Sequence, residues 1–330
     1  MESHDDSMHL ISIVQLGTID YATGLFLQQK LVALRKEEKI GDVLLLLEHK
    51  PVITLGRNAE AKNVVASPEF LEQRGVELYE CDRGGDVTFH GPGQIVGYPI
   101  FDLRGRESLT PSDAPTEPKR KTMGVIEFVR RLEDVLMRTN ADFGIPTKRV
   151  AGLTGVWTDP SSGQPSSQAP DRLSFRAQAR NPLSAGTDSN SEDVHKREGH
   201  DFSRAVNFTE GVASAAELEA KLAAIGVHVS RGVTSHGFAL NVNTDLSYFN
   251  LIIPCGITSK QVTSMQKELG REIDLNAVAE SISRNFGVVF QSQILWVDTL
   301  DALLGNTVGV PMKRPKELRQ FHQEDETSWA

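Results

Sequence analysis

The sequence predicts a fold of the α/β or α+β class, in which strands interleave with helices along the chain. Three observations support this prediction. Residues 43–48 form a continuous aliphatic run, which is typical of a strand buried on both faces. Residues 125–143 carry apolar side chains at helical spacing. Further short apolar runs of strand length alternate with helical patterns up to residue 286, and no internal repeat is visible.

The first half of the chain predicts two helices and four strands. The apolar periodicity predicts a helix over residues 21–39. Ser67, Pro68 and Glu69 form an N-cap, a first-turn proline and a first-turn acid, so a second helix begins there and ends near Gly75. The predicted strands are residues 43–48, Val52–Leu55, residues 76–79 and residues 95–101. Residues 83–97 are unusually dense in glycine, and an exposed polar loop is expected over residues 104–123.

The second half predicts three helices and three strands. The helix over residues 125–143 is stopped by Gly144 and Pro146. The other predicted helices are residues 260–269 and 275–286, and the predicted strands are residues 155–157, 225–230 and 238–243.

The length of 330 residues suggests about two domains, but composition argues for one. Residues 160–200 contain eight Ser, four Pro and three Gly and almost no periodic apolar signal. Such a segment buries too little apolar surface to offset the entropy of ordering. We therefore expect a disordered insertion over residues 159–213, with an ordered surface loop as the alternative. A short extension (1–9) and a flexible tail (307–330) then leave a single domain over residues 10–290.

Composition and charge exclude several classes of protein. The net charge of −9 argues against nucleic acid as the main partner. The acidic N-terminus lacks the features of a signal peptide, and the longest apolar run, residues 43–47, is too short to span a membrane. We expect a cytoplasmic protein whose two cysteines stay reduced. The histidines show no metal-ligand spacing, so no metal site is predicted.

Of the two cysteines, Cys255 is the better candidate for a nucleophile. It follows an apolar strand-like run and Pro254 and precedes Gly256, which leaves the backbone open. The alternative is a buried structural cysteine. Cys81 lies between Glu80 and Asp82, and these acids disfavour its thiolate, so we expect it to be structural.

A nucleophilic thiol needs a partner that favours its thiolate. Lowering the pKa from about 8.5 to about 7 requires roughly 2 kcal/mol of preferential stabilisation. The candidates are His90, His236, Lys148 and Lys221. A histidine would make a hydrolase-like dyad, whereas a lysine would act by its charge and could also carry a proton. Sequence distance does not select among them.

Residues 83–94, RGGDVTFHGPGQ, form the glycine-rich motif. Glycines allow a ligand to approach the backbone closely. The motif matches neither of the common nucleotide-phosphate patterns, so a phosphate cradle is unsupported. The alternative to a binding loop is a tight hairpin that needs glycines for its geometry.

The glycine-rich motif, followed by Gly97-Tyr98-Pro99, closely resembles the signature of the lipoyl(octanoyl) transferase family. Four further blocks agree in the same order: Gly155-Val156-Trp157, residues 221–226 (KLAAIG), residues 235–242 (SHGFALNV) and residues 250–256 (NLIIPCG). The resemblance covers about residues 10–286 without the insertion.

This resemblance implies an acyltransferase that uses neither a cofactor nor ATP. An octanoyl group would pass from acyl carrier protein to Cys255 as a thioester. It would then pass to a lysine of the lipoyl domains of 2-oxoacid dehydrogenases or of glycine-cleavage H protein. Lys221 would lower the thiol pKa and transfer protons. The residues implied for the substrate pocket are Arg83, Gly84, Gly85, Asp86, Val87, Thr88, Phe89, His90, Ala224, Ile225, Gly226, Gly237, Phe238 and Ala239.

The implied fold is that of the biotin and lipoate ligase catalytic domain, a mixed sheet flanked by helices. Both implied partner proteins are typically acidic, as is this chain, so docking would need a local basic patch. Candidates are Arg130-Arg131, Lys148-Arg149 and Arg231.

Some alternatives remain open from sequence. Residues 215–224 have high helix propensity. The family, however, places the matching lysine on a strand or its edge, so both a helix and a strand remain open for Lys221. The alternative functions are a cysteine hydrolase that pairs Cys255 with His90 or His236, an ATP-dependent lipoate or biotin ligase, and a carrier-protein binding module without catalysis.

Overall fold

The computed structural model describes residues 9–106, 122–162, 219–254 and 260–304. The predicted extension and tail, most of the predicted insertion, part of the polar loop and Cys255 lie outside these described residues.

The described chain contains twelve strands and six α-helices. In order they are β1 (His9–Ile19), α1 (Tyr21–Lys36), β2 (Asp42–His49), β3 (Val52–Leu55), α2 (Pro68–Gln73), β4 (Glu77–Glu80), β5 (Val87–His90), β6 (Gln94–Ile100), α3 (Val125–Asp142), β7 (Thr147–Val150), β8 (Leu153–Thr158), β9 (Ala220–Ser230), β10 (Val233–Asn241), β11 (Gln261–Val262), α4 (Met265–Leu269), α5 (Leu275–Phe290), β12 (Ser292–Trp296) and α6 (Leu300–Leu304).

Nine strands form one large mixed sheet in the order β12-β1-β2-β6-β10-β9-β8-β7, with β11 also paired to β9. β1 is parallel to β12 and β2, and the pairs from β2 to β7 are antiparallel. The other three strands form a small sheet in the order β4-β3-β5. The prediction of a mixed sheet flanked by helices is confirmed.

Helices cover both faces of the large sheet. On one face, α3 and α5 pack through side chains such as Phe128 and Phe286. On the other face, α1 packs through Leu27 and Leu31. Alternate residues of β2 therefore enter different cores: Leu44 faces the first and Leu45 the second. Burial on both faces explains why this strand is aliphatic without interruption.

Local sequence signals set the ends of several elements. Ser67 caps α2 by accepting a hydrogen bond from the backbone N–H of Phe70, as predicted. Asp20 caps α1 in the same way through the N–H of Thr23. β3 has the bounds that the sequence predicts. Helix α1 ends three residues before its predicted end, and α5 continues four residues beyond its own.

Lys221 lies on a strand. β9 pairs with β10 along most of its length, and Lys221 itself is opposite Trp157 of β8 on one side and Val262 of β11 on the other. Pairing along both edges outweighs the local preference of these residues for helix, because strand pairing depends on tertiary context.

The prediction of one helix over residues 260–269 was wrong. Gln261 and Val262 form β11, which pairs in parallel with β9, and the helix begins only at Met265. Ser264 caps it by accepting a hydrogen bond from the N–H of Lys267. The free edge of β9 provides backbone partners for the first residues of this segment, and these partners outweigh its helical periodicity.

No helix in the described ranges is long and apolar enough to cross a membrane.

Gly237 of β10 packs directly against the backbone of the neighbouring strand β6. A Cβ at this position would lie 2.1 Å from the carbonyl oxygen of Gly97 and 2.6 Å from Cδ of Pro99. We expect Gly237→Ala to lower the free energy of unfolding by about 1–3 kcal/mol, because backbone must move to make room. Urea denaturation measures this loss.

Gly41→Ala is the matched control, since a Cβ at this exposed position meets nothing within 4 Å. Its free energy of unfolding should stay within about 0.5 kcal/mol of wild type. Equal stability of the two variants would contradict the close contact.

Candidate active site

A cleft of about 520 Å³, measured with its open mouth, lies between the small sheet and the middle of the large sheet. The glycine-rich motif forms one wall, and β9 and β10 form the other. The structure brings together Lys221 and all the residues implied for the pocket except Val87 and Phe89. These are Arg83, Gly84, Gly85, Asp86, Thr88, His90, Ala224, Ile225, Gly226, Gly237, Phe238 and Ala239.

Val87 and Phe89 do not line the cleft. They alternate with Thr88 and His90 along β5, so they point to the opposite face of that strand. Both are buried in the core of the small sheet, where the ring of Phe89 stacks on Tyr248 at 4.7 Å between centroids. Their role is to hold β5 in place.

Four further residues line the cleft that the sequence did not assign to the pocket: Tyr21, Val96, Tyr98 and His236. Tyr98 and His236 lie within blocks that carried the family resemblance, and the period-2 alternation of β6 places Val96 on the same face as Tyr98. Tyr21 belongs to α1, and no sequence signal connected it with the motif.

Two glycines allow the motif to rest directly on the large sheet. The N–H of Gly84 donates to the carbonyl oxygen of Val227 at 3.1 Å. A Cβ at Gly226 would lie 2.6 Å from the carbonyl oxygen of Gly84. Backbone thus packs on backbone, and a side chain at position 226 would push the two walls apart.

Arg83 places a positive charge in the wall of the cleft. Its guanidinium is buried and donates to Thr54 Oγ1, to the carbonyl oxygen of Thr54 at 2.6 Å and to that of Gly84 at 3.1 Å. Within the described ranges, no carboxylate lies within 4.0 Å of it. A buried guanidinium held only by neutral groups favours an electron-rich ligand atom, such as a carbonyl oxygen.

His90 is neutral and its tautomer is fixed. Gln94 donates both amide protons, to the carbonyl oxygen of Phe89 and to Oδ1 of Asn241, so its Oε1 accepts from Nδ1 of His90 at 2.7 Å. Nε2 is then the acceptor nitrogen of the ring. Burial, followed by the neighbouring His49, lowers the pKa of His90 to about 3.

His49 and Tyr98 form a second neutral pair beside His90. Nδ1 of His49 donates to the carbonyl oxygen of Ile19, so Nε2 accepts from the Tyr98 hydroxyl at 2.6 Å. Burial lowers the pKa of His49 to about 4 and raises that of Tyr98 far above its usual value. These groups stay uncharged at neutral pH.

His236 is held by a carboxylate at the edge of the cleft. Its Nε2 lies 2.7 Å from Oδ1 of Asp82, and its backbone N–H donates to Oε1 of Gln28. The hydrogen bond from His236 is the main reason why the pKa of Asp82 falls to about 2. Burial lowers the pKa of His236, although Asp82 acts in the opposite direction. The pair is a neutral imidazole that donates to a carboxylate.

The side chain of Lys221 reaches the cleft beside Trp157. Its Nζ lies 5.2 Å from the centre of the Trp157 ring. A Cβ at Gly155 would come within 2.8 Å of Lys221 Cε, so this glycine leaves the space that the lysine stem uses. Gly155 also has φ +123°, which disfavours other residues.

A smaller cavity adjoins the cleft at Lys221. Thr88, Ala224 and Ala239 line both spaces, and Pro254 lines the smaller one. Pro254 directly precedes Cys255, the predicted nucleophile, which lies outside the described residues.

Asp86 connects the motif to the backbone that leads to Pro254. Its Oδ2 accepts from Nδ2 of Asn63 at 2.6 Å. The carbonyl oxygen of Asn63 in turn accepts from the N–H of Ile253 at 2.7 Å.

The other candidate thiol and cations lie elsewhere. Cys81 is partly buried, and its thiol donates to the carbonyl oxygen of Leu55 at 3.4 Å. Lys148 pairs with Glu219 at 2.7 Å. Among the residues that the structure describes, no group of three or more His, Cys, Asp or Glu side chains could hold a metal ion.

The basic clusters proposed for docking are mostly neutralised within the chain. Arg130 and Arg149 both pair with Glu133 at 2.7 Å. Arg131 pairs with Glu127. Arg231 remains exposed in the turn between β9 and β10, so it is the candidate that stays available to an acidic partner.

Comparisons with known proteins agree on one family. Residues 20–287 match the model of the lipoyl protein ligase A/B catalytic domain. An octanoyltransferase of Koribacter versatilis is 50% identical over 316 residues, which cover 96% of this chain and 98% of that protein. An octanoyltransferase of Acidobacterium capsulatum is 45% identical over 297 residues, which cover 89% and 96%.

Solved structures share the fold at low identity. A bi-partite lipoate protein ligase of Thermoplasma acidophilum superposes with a TM-score of 0.56 at 12% identity, covering 89% of each chain. Lipoate-protein ligase A bound with ATP superposes with a TM-score of 0.54 at 12% identity, covering 90% of this chain and 91% of that one.

The neutral histidines predict a pH dependence of stability. His49 and His90 have pKa values of about 4 and about 3 in the folded protein, below the 6.5 of an unperturbed histidine. The unfolded chain therefore binds more protons below pH 6.5. Their contribution to stability is complete above that pH and declines as the pH falls towards 4. Urea denaturation between pH 7.5 and 5 should show this decline.

NMR titration of the imidazole Cε1–H signals tests the two residues directly. Neither signal should move between pH 8 and 5 in the folded protein, whereas both should titrate near 6.5 in urea. A folded-state midpoint above pH 6 for either residue would contradict the assignment.

Proposed function

The chain belongs to the octanoyltransferase family, and from this premise we propose how its residues transfer an octanoyl group from acyl carrier protein to a lipoyl domain. Cys255 carries the acyl group as a thioester, and Lys221 controls the protons. The observation that supports this assignment is the cleft itself. The family motif lines it on one side, Lys221 lies in its wall, and Pro254, next to Cys255 in sequence, lines the adjoining cavity.

The first step is thioester exchange. The Cys255 thiolate attacks the octanoyl carbonyl carbon, a new C–S bond forms, and the bond to the phosphopantetheine sulfur breaks. The departing thiolate takes a proton from the Lys221 ammonium. One thioester replaces another, so the step needs no external source of energy.

In the second step, the ε-amine of the acceptor lysine attacks the thioester on Cys255. An amide bond forms and the C–S bond breaks. The proton released by the amine passes through neutral Lys221, which regenerates its ammonium beside the Cys255 thiolate. The acceptors that we propose are the lipoyl domains of 2-oxoacid dehydrogenases and glycine-cleavage H protein.

Lys221 suits this role by position and by charge. Lys221 and Pro254 line the same small cavity, and Cys255 directly follows Pro254 in the sequence. An ammonium beside a thiol favours the thiolate. A shift of the thiol pKa from about 8.5 to about 7 corresponds to roughly 2 kcal/mol, which a single nearby cation can supply.

The cleft suits an acyl chain. The octanoyl group has seven carbons beyond its carbonyl, and burying them at about 0.8 kcal/mol each contributes roughly 5 kcal/mol. Ala224, Ile225 and Ala239 offer apolar surface for the chain. The Arg83 guanidinium offers a positive charge for the carbonyl oxygen, where negative charge develops during attack.

His90 is a poor general base for hydrolysis. A general base for water should have a pKa near the working pH. The pKa of His90 is about 3, and its Nδ1 is engaged by Gln94. With so low a pKa, His90 is not suited to deprotonate a thiol or a water molecule at neutral pH. Nε2 of His236 is engaged by Asp82, so a hydrolase would have to use the Nδ1 atom of that ring.

Mass spectrometry with octanoyl-acyl carrier protein tests the nucleophile. Wild type should gain the mass of one octanoyl group less one hydrogen, and peptide mapping should place it on Cys255. Cys255→Ser should lower transfer to a lipoyl domain by about a thousandfold or more.

Cys81→Ser is the matched control, because its hydroxyl can still donate to the carbonyl oxygen of Leu55. It should keep acylation and transfer. Release of free octanoate without an acylated lipoyl domain would favour the hydrolase. Product formed from free octanoate and ATP, but not from the carrier-bound group, would favour the ligase.

The rate of iodoacetamide alkylation against pH tests Lys221, with Cys81→Ser as the background so that only Cys255 reacts. Lys221→Ala should raise the thiol pKa towards 8.5 and slow alkylation at pH 7 by about tenfold. At pH 9.5 the rates should converge.

Lys148→Ala serves as the control cation, since Lys148 lies opposite Trp157 on the far side from Lys221 and pairs with Glu219. Its profile should match that of the background. An unchanged profile in Lys221→Ala would rule out the assigned role.

A further inference from the structure

Two buried amides connect the glycine-rich motif to the strand that carries Lys221. Gln94 closes the motif at the start of β6, and Asn241 ends the neighbouring strand β10. Both side chains are almost fully buried. The proposed function assigns neither of them a role.

Hydrogen bonds run from His90 to Lys221 through these amides. Nε2 of Gln94 donates to Oδ1 of Asn241 at 2.8 Å. Nδ2 of Asn241 donates to the carbonyl oxygen of Thr263 at 3.0 Å. The N–H of Thr263 donates to the carbonyl oxygen of Lys221 at 3.0 Å. The chain of contacts thus ends on the backbone of Lys221.

The last contact sets a strand register. β11 pairs Gln261 with Ala220 and Val262 with Lys221, and the bond from the N–H of Thr263 to the carbonyl oxygen of Lys221 is the ladder bond of the second pair. β11 has only two residues, so few ladder bonds hold it. Asn241 holds Thr263 from the other side, which fixes β11 against β9 at the position of Lys221.

The hydrogen bonds of the two amides position other groups of the protein. Gln94 uses both amide protons, and its oxygen accepts from His90. Although Gln94 and Asn241 line the smaller cavity, their hydrogen bonds are directed at protein atoms. The amides can therefore act on the reaction through the groups that they hold.

We propose that Gln94 and Asn241 are positioning residues for acyl transfer, acting through the register of β11 against Lys221. This inference rests on the proposed role of Lys221 beside Cys255. A shift of β11 along β9 moves the backbone that pairs with Lys221. The placement of the ammonium that we assign to Lys221 then depends on the hydrogen bonds of these two amides.

The test is Asn241→Ala in the Cys81→Ser background, with alkylation of Cys255 by iodoacetamide measured against pH. We expect the rate at pH 7 to fall about threefold or more and the rate at pH 9.5 to stay unchanged, because the thiolate fraction sets the rate. The KM for octanoyl-acyl carrier protein should change less than kcat. An unchanged pH profile would overturn the proposal.

Asn243→Ala is the matched control. Asn243 lies two positions away and also makes two hydrogen bonds, to the N–H and carbonyl oxygen of Ile273, but neither leads to Lys221. It should lower the melting temperature without moving the alkylation profile. If both variants move the profile equally, the effect is general loosening and the proposal fails.

Combining Asn241→Ala with Lys221→Ala tests the route of the effect. If Asn241 acts through Lys221, the double variant should have the profile of Lys221→Ala alone, whereas independent effects would add. Full additivity would overturn the proposal.

Should Asn241→Ala not fold, Asn241→Leu fills the space of the side chain and removes its hydrogen bonds without adding a charge; the same expectations apply. Mass spectrometry of the wild-type acyl-enzyme distinguishes failure of the proposed function from failure of the positioning role alone. Absence of octanoyl on Cys255 contradicts the proposed function itself. Acylated Cys255 with an unmoved Asn241→Ala profile contradicts only the positioning role.

Discussion

The contact between the backbones of Gly84 and Gly226 is the constraint on which the cleft depends. It joins the small sheet to the large one where no side chain intervenes, and the bond from Gly84 N–H to the Val227 carbonyl oxygen fixes their alignment. The motif can therefore present Arg83 and His90 to the same space as β9 and β10. Larger residues at either glycine would push the two walls apart and widen the cleft, even with every proposed catalytic residue unchanged.

Much of the fold could be predicted because its signals are local. The capping by Ser67 and the aliphatic run of β2 each depend on a few neighbouring residues. Local signals did not predict that Lys221 lies on a strand, nor that residues 261–262 form the short strand β11. Both result from pairing between segments that are distant in sequence, and β9 adopts strand structure because β8, β10 and β11 occupy its edges.

The candidate site shows the same difference between features that the sequence predicts and features that depend on tertiary structure. The motif resemblance brought most of the residues that line the cleft into one group, but it could not separate the two faces of β5, so Val87 and Phe89 were grouped with Thr88 and His90. Protonation states were also beyond sequence reasoning. His90 is a plausible base by residue type, and only burial and the fixed orientation of Gln94 make it neutral. The role of Cys255 as the nucleophile remains a prediction, and so do the boundaries of the single domain.

Asp86 changes how substitutions in the glycine-rich motif should be interpreted. Through Asn63 it reaches the N–H of Ile253, while Gln94, at the other end of the motif, reaches Lys221. The motif thus holds backbone on both flanks of residues 255–259 as well as lining the cleft. Loss of activity in a motif variant is consequently no measure of substrate affinity. An affinity measurement and a thiol-reactivity measurement on the same variant are both needed before the defect can be assigned.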